Sequence, residues 1–392
     1  MFFKRKLKLI PGFFMIVLLA LALQANAESL EIQTPAPPAI DAKAYILQDF
    51  QTGKVLVENN ADERLAPASL TKIMTVYVVF KELANGHLKL DDLATISKKA
   101  WGTSGSRMFV EVNAQVRIED LLKGVIIQSG NDASVALAEH IAGDEATFAD
   151  MMNQHAARLG MKNTHFKNAD GLPVEDHYTS ARDLGILTTA LIKEFPQYYP
   201  WFSQKEFIYN NIVQHNRNLL LSRDSTVDGV KTGHTEDAGY CLVASALRND
   251  MRLISVVMGT KSVNARAVEN QNLLNYGFRF FESPRLYEGK TSLSDSKAWK
   301  GDTQTVPLGL AESLYVTVPR GSAGDVKTAI RVNAPIVAPF KEGDKFGTVE
   351  VTYKNQVVDQ KDLIALKAVG EGSVFRRLFD GILMRFAKAD GQ

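Results

Sequence analysis

Residues 64–80 read RLAPASLTKIMTVYVVF. From Ile73 to Phe80 almost every side chain is apolar, which predicts a helix buried on all sides. At its mouth stand Ser69 and Lys72, three positions apart. On a helix that spacing puts both on one face, with Cβ atoms about 5–6 Å apart. Taking an unpaired ammonium out of water costs on the order of several kcal/mol, so a buried lysine finds acceptors or gives up its proton. A serine hydroxyl is a poor nucleophile until a base takes its proton, and a neutral lysine one turn away can be that base. Burial and a second nearby cation both push a lysine toward neutrality.

The S-x-x-K spacing alone is weak and recurs at Ser294–Lys297, in a polar stretch where it is expected to be solvated and idle. S-x-N is as weak, at Ser129-Gly130-Asn131 and Ser262-Val263-Asn264, whereas K-T-G occurs once, at Lys231-Thr232-Gly233. Order does the sorting. Ser69–Lys72, Ser129–Asn131 and Lys231–Gly233 follow one another along the chain, and the other copies come after K-T-G. Their contexts are expected to be a helix start, a break between helices and a strand. Ser129, Asn131 and Asp132 also suit the bland task of capping a helix.

Outward from these motifs the chain divides. Thr34–Ile40 is a proline-rich lead-in, and AYILQDFQTGKVLVENN alternates on both sides of Thr52-Gly53 as a hairpin does. Residues 117–142 read as two helices broken at QSGND, the second ended by Gly143; FADMMNQHAARLG is a further helix stopped by Gly160, and Ser180 with Asp183 starts another. From Asp228 the period shifts to strands, DGVKTG, GYCLVASAL and MRLISVVMGT, before ARAVENQNLLNYGFRFF returns to helix. This is an α+β pattern, with helices packed on an antiparallel sheet. SPRLYEGKTSLSDSKAWKGD is polar and reads as a junction, and short alternating strands beyond it predict a small, β-sandwich-like all-β domain.

A chain of 392 residues suits two domains. Lys4, Arg5, Lys6 and Lys8 followed by the apolar run Phe13–Leu23 and Ala25-Asn26-Ala27 predict a signal peptide cleaved after Ala27, hence export. Cleavage removes four cationic residues and no acidic ones, which moves the formal charge from +1 to −3. No basic excess points to nucleic acid. Cys241, the single cysteine, leaves no internal disulfide and sits in an apolar run as a buried thiol. No histidine and cysteine spacing suits zinc, and no cofactor is implied.

In that order the three motifs form the set of penicillin-binding proteins and class A β-lactamases, and the chain resembles the low-molecular-mass D-alanyl-D-alanine carboxypeptidases of peptidase family S11. ASLTKIMT, SGNDASVALAEHIAG, HFKNADGLP, QHNRNLLL, DGVKTGHTEDAGYCLVASA and NYGF carry the resemblance. NADGLP departs from the NPHGLP-like stretch of many members and reads as a structural loop.

The resemblance implies a penicillin-binding, serine β-lactamase-like domain at 28–290, a small β domain at 291–370 and a membrane-anchoring helix at 371–392. It implies that Ser69 attacks the bond between two terminal D-alanines of a peptidoglycan stem peptide, with Lys72 as base and Ser129 relaying a proton to the leaving amine. Asn131 holds the substrate amide and steadies Lys72, and the N–H groups of Ser69 and His234 form the oxyanion hole. Lys231, Thr232, Gly233 and Arg266, with Arg217, receive the terminal carboxylate. β-Lactams would acylate the same serine. A β-lactamase, a D,D-endopeptidase and a non-catalytic wall-binding scaffold are the competing readings; a β-lactamase would need a deacylating water held as class A enzymes hold it by a glutamate, with no counterpart found. His165 and His177 read as loop hydrogen-bonders.

In the tail, Phe375, Leu378, Phe379, Ile382, Leu383 and Phe386 recur at helical spacing, with Arg376, Arg377, Asp380, Arg385 and Lys388 mostly opposite. This predicts a helix lying in a membrane interface, basic side toward lipid headgroups; the alternative is a helix docked on its own protein.

Overall fold

The computed structural model describes residues 34–389, with side chains to residue 385. The leader expected at 1–27 lies outside the described residues.

The first hairpin forms as expected: β1 (Ala44–Asp49) and β2 (Val55–Asn59) pair antiparallel, and Gly53 at the turn has φ +71°. Three later strands complete the sheet: β3 (Val227–Thr235), β4 (Gly239–Arg248) and β5 (Met251–Thr260). The order is β2-β1-β5-β4-β3, antiparallel throughout, so the strand carrying Lys231 is an edge. The nearly continuous apolar runs of β4 and β5 have a physical consequence: both faces of the sheet need covering. Val243, Ile254 and Val256 enter one buried cluster with the apolar residues of the 72–84 helix, and Leu242, Leu253 and Val257 enter another with Leu273, Leu274 and Phe278.

Helix α1 (Lys72–Ala84) is buried continuously from Lys72 to Phe80, as its sequence requires. Ser69 differs from expectation: it belongs to a tighter 3-10 turn, Ala68–Thr71, that leads into α1. α2 (Ile118–Lys123) widens into a π-helical turn at Gly124–Gln128 and stops at Ser129, whose φ of +66° breaks the helix. α3 (Asn131–Ala142) ends at Gly143, and α4 (Glu145–Leu159) at a left-handed Gly160. α5 (Ala181–Glu194) is capped by Ser180, which accepts the Asp183 N–H, and α6 (Val263–Phe280) by Ser262, which accepts the Ala265 N–H. That cap disposes of the second S-x-N copy.

The stretch read as a junction is not all loop. Within it Arg285–Tyr287 pairs with Leu314–Tyr315, and just before it Phe281–Glu282 pairs with Val318–Pro319. Ser294–Trp299 is a full strand in which Ala298 alone is buried, so no apolar alternation announced it. It holds the idle Ser294–Lys297 copy, with the Lys297 ammonium over the Trp299 ring. The all-β domain forms a six-stranded sheet around its own core of Val306, Leu308, Val349, Val351 and Leu363.

α7 (Val374–Ala389) reverses one detail of the expectation. Its basic residues do not all await lipid. Arg376 donates to the carbonyls of Asp302 and Thr303, and Arg377 pairs with Glu371. Buried Asp380 accepts the Lys300 N–H at 2.6 Å. The helix docks on the β domain by its polar side, leaving Phe375 86%, Leu378 64%, Phe379 65% and Ile382 58% exposed. The side chains of Phe386 and Lys388 lie outside the described residues.

Candidate active site

The turn that carries Ser69 is fixed from both sides. Ala68 takes φ +47° at the entry to the 3-10 turn. Gly171, at φ +85°, lies so close that a Cβ there would sit 1.9 Å from the Ala68 carbonyl oxygen. Glycine is required on both counts. α1 then binds the same 168–172 loop: Lys72 Nζ donates to the Asp170 carbonyl at 2.5 Å and Thr75 Oγ1 to the Ala169 carbonyl at 2.6 Å.

Lys72 is fully buried. Besides the Asp170 carbonyl, its Nζ meets Asn131 Oδ1 at 2.7 Å and Ser69 Oγ at 3.1 Å. Asn131 Nδ2 donates to the Ser104 carbonyl, which fixes the orientation of the amide. The three oxygens satisfy an ammonium, which donates to all of them, and they also admit the neutral amine. In the neutral form the carbonyl and the amide oxygen, which can only accept, take its two N–H groups, and the lone pair then faces the Ser69 hydroxyl proton. Burial lowers the Lys72 pKa to about 8; Asp170 opposes the shift, Arg217 adds to it and Asp132 opposes it.

Across the cavity, Lys231 on β3 donates to Ser129 Oγ at 2.9 Å and to the Thr232 carbonyl at 3.1 Å. Its pKa lies well below the ordinary lysine value, through burial first and then the charges of Lys72, Arg217 and Arg266. Neither Ser129 nor Asn131 caps α3: its N-cap is Gly130, with no side-chain cap, and the one side-chain bond of this stretch to the first turn is Asp132 Oδ1 accepting the Ala133 N–H at 2.9 Å. Asn131 is committed to Lys72, and the Asp132 carboxylate accepts the N–H groups of Met108, Phe109 and Val110.

A cavity of about 460 Å³ opens over this arrangement, lined by Ser69, Ser129, Asn131, Arg217, Thr232 and Arg266, with Gly233 and His234 along the strand. All eight are sequence candidates; Lys72 and Lys231 lie beneath them, so the ten fall together. Arg266 is not a solvated helix start. It is buried and donates to the Gly233 carbonyl at 3.0 Å, and burial lowers its pKa to about 10. Arg217 donates to Ser106 Oγ at 2.7 Å. The His234 ring stacks on Tyr240 with centroids 4.0 Å apart. Two guanidinium groups, those of Arg217 and Arg266, thus line the same cavity as Ser69.

His165 Nδ1 donates to the Asp176 carbonyl at 2.7 Å, within loops as read from sequence, whereas His177 also bonds out of its loop to the 3-10 turn that carries Ser69. His177 Nδ1 accepts the Lys167 N–H, which leaves Nε2 to donate to Thr71 Oγ1 at 2.9 Å. Burial lowers the His177 pKa to about 4. Sequence reasoning missed the 104–106 loop, which has no chemical signature, and Asp170, which stands in the NADGLP departure read as structural. A carboxylate within that departure was the available signal.

Comparison with known proteins agrees with this geometry. The family described as D-alanyl-D-alanine carboxypeptidase, peptidase S11, matches residues 31–262, and the C-terminal domain of penicillin-binding protein 5 matches residues 281–371. The D-alanyl-D-alanine carboxypeptidase DacC of Escherichia coli K12 is 44% identical over 362 residues, covering 90% of each chain. Penicillin-binding protein 5 from Haemophilus influenzae superposes with a TM-score of 0.79 at 41% identity, over 86% of this chain and all of that one. Penicillin-binding protein D2 from Listeria monocytogenes, solved in its ampicillin-bound form, gives a TM-score of 0.58 at 29% identity over 62% of this chain and all of that one. With the three motifs gathered on one cavity and both regions matched, the chain belongs to the S11 family of D-alanyl-D-alanine carboxypeptidases.

Proposed function

We propose that Ser69, Lys72 and Ser129 carry the family's reaction here, on peptidoglycan stem peptides ending in D-Ala-D-Ala. The observation behind this reading is the Lys72 amine, held by two obligate acceptors with Ser69 Oγ at 3.1 Å. Ser69 Oγ attacks the carbonyl carbon between the two D-alanines, and its proton passes to Lys72 Nζ. The resulting oxyanion is met by the N–H groups of Ser69 and His234. The C–N bond then breaks, with Ser129 passing a proton to the leaving amine from the Lys72 and Lys231 side. D-Alanine departs and the acyl chain remains as an ester on Ser69. Water hydrolyses the ester and restores the serine. Lys231, Thr232, Gly233, Arg266 and Arg217 hold the terminal carboxylate, and Asn131 the substrate amide. β-Lactams form the same ester, as covalent inhibitors.

The working division is a signal peptide at 1–27, a catalytic domain at 28–290, a β domain at 291–370 and an anchor at 371–392. The enzyme is exported, periplasmic or at the outer face of the cytoplasmic membrane, and anchored peripherally by α7. Support for the anchor is the outward apolar side of α7, the pattern of an interfacial helix; no helix among the described residues is long and apolar enough to cross a membrane.

The test is D-alanine release from a peptide ending in D-Ala-D-Ala. Release by the unaltered protein and none by Ser69→Ala supports the reading; equal release by both overturns it.

A further inference from the structure

The loop expected to be structural carries a buried carboxyl beside the base. Asp170 is 3% exposed, yet it lines the active-site cavity. Its loop cannot swing away. Lys72 and Thr75, one turn apart on α1, grip the successive carbonyls of Asp170 and Ala169, and Gly171 abuts Ala68. Asp170 Oδ1 accepts the Leu172 N–H at 2.9 Å, and Asn168 bonds both the Gly171 N–H and the Leu172 carbonyl. The carboxyl is therefore the pinned, buried side chain of the very residue whose carbonyl bonds Lys72 Nζ, in a poorly solvated setting where charges interact most strongly.

We propose that Asp170 is a positioning residue for the base: its carbonyl aims Lys72 Nζ at Ser69, and its carboxylate sets the pH at which that amine becomes neutral. The inference rests on the reading of Lys72 as the base. Other charges face the same amine. Asp132 lies beyond Asn131 and favours the ammonium, Arg217 opposes it, the Lys72 charge in turn disfavours protonation of Lys231 and His177, and Glu145 of α4 faces Asp170 itself. Asp170 is the acid nearest in effect to Lys72, and burial raises its own pKa while Lys72 lowers it. A negative neighbour stabilises the ammonium, so removing it lets the proton leave at lower pH.

The experiment is the pH dependence of Ser69 acylation by benzylpenicillin, as the second-order rate constant, in unaltered protein and in Asp170→Asn and Asp170→Ser. The expected result is that the rising limb moves to lower pH by about half a unit or more in both variants, a roughly threefold or larger gain in the ratio of the rates at pH 6 and pH 9. Asp170→Glu, which keeps the charge, is expected to restore the midpoint toward that of the unaltered protein. A merely structural role would lower the rate at every pH and leave the midpoint in place, and that result overturns the proposal. If neither neutral variant folds, the carboxyl is a folding element and the proposal is likewise overturned. If the unaltered protein takes no penicillin on Ser69, the reading of the base fails instead.

Discussion

Lys231 Nζ lies 2.9 Å from Ser129 Oγ, and this one bond joins the edge strand β3 to the turn that ends the α2 segment. Each residue is buried, and each gives the other a partner that its own element does not supply. Ser129 is in the left-handed region because the π-helical turn before it ends the helix, which turns its hydroxyl into the cavity rather than along α3. Ser129→Ala leaves Lys231 with the Thr232 carbonyl and removes the relay. D-Alanine release is expected to fall by roughly 10²–10⁴-fold. A variant that releases D-alanine at the unaltered rate rules the relay out.

Gly171→Ala tests how tightly the turn that carries Ser69 is built. The added methyl meets the Ala68 carbonyl at 1.9 Å in a backbone region at φ +85°. Steric overlap and left-handed strain act together, and a loss of about 3 kcal/mol or more is expected in urea unfolding. Where folded protein is recovered, acylation of Ser69 should be slow, because Ala68 precedes it. Unaltered stability would mean that the loop and turn are not in contact.

His177 makes stability depend on pH. Burial holds its ring neutral down to about pH 4, whereas an unfolded chain protonates it near 6.5. Between those values the unfolded state binds more protons, so stability is fully present above about pH 6.5 and is lost as pH falls toward 4. The difference is worth on the order of 3 kcal/mol. His177→Gln should flatten that part of the curve when Tm is followed from pH 7 to pH 4. An identical slope in the variant would assign the acid sensitivity elsewhere.

The tail gives a test independent of chemistry. Removing residues 371–392 deletes α7 and the Asp380 contact to Lys300 but leaves the catalytic cavity intact. The shortened protein is expected to stay active and to remain in the supernatant when vesicles containing anionic lipid are sedimented, whereas the full chain pellets. Equal sedimentation of both would remove the anchor.

Sequence carried much of this because the chemistry needed rare combinations in a fixed order. Ser69, Lys72, Ser129 and Lys231 could be named since each lies in a short motif whose spacing is itself the geometry. The sheet was legible from the apolar runs of β4 and β5, and α1 from its unbroken burial. What stayed hidden depended on long-range contact. Ser294–Trp299 buries one residue, so its period-2 signal is missing. Asn131 reads as a cap in isolation, and only the approach of α1 claims its side chain for Lys72. Asp170 reads as a loop residue because its partner lies 98 positions away. The polar side of α7 reads as lipid-facing because its docking partners, Lys300 to Thr303, are themselves polar loop.

The central claim is that Lys72 takes the proton of Ser69, and it is tested most directly by intact-mass measurement after exposure to benzylpenicillin. The unaltered protein should gain one penicilloyl adduct, mapped to Ser69 by peptide digestion, and Ser69→Ala none. Lys72→Arg keeps a positive charge that cannot be given up at ordinary pH, and it should fold and yet acquire no adduct on the same timescale. A Lys72→Arg protein acylated as fast as the unaltered enzyme would contradict the claim.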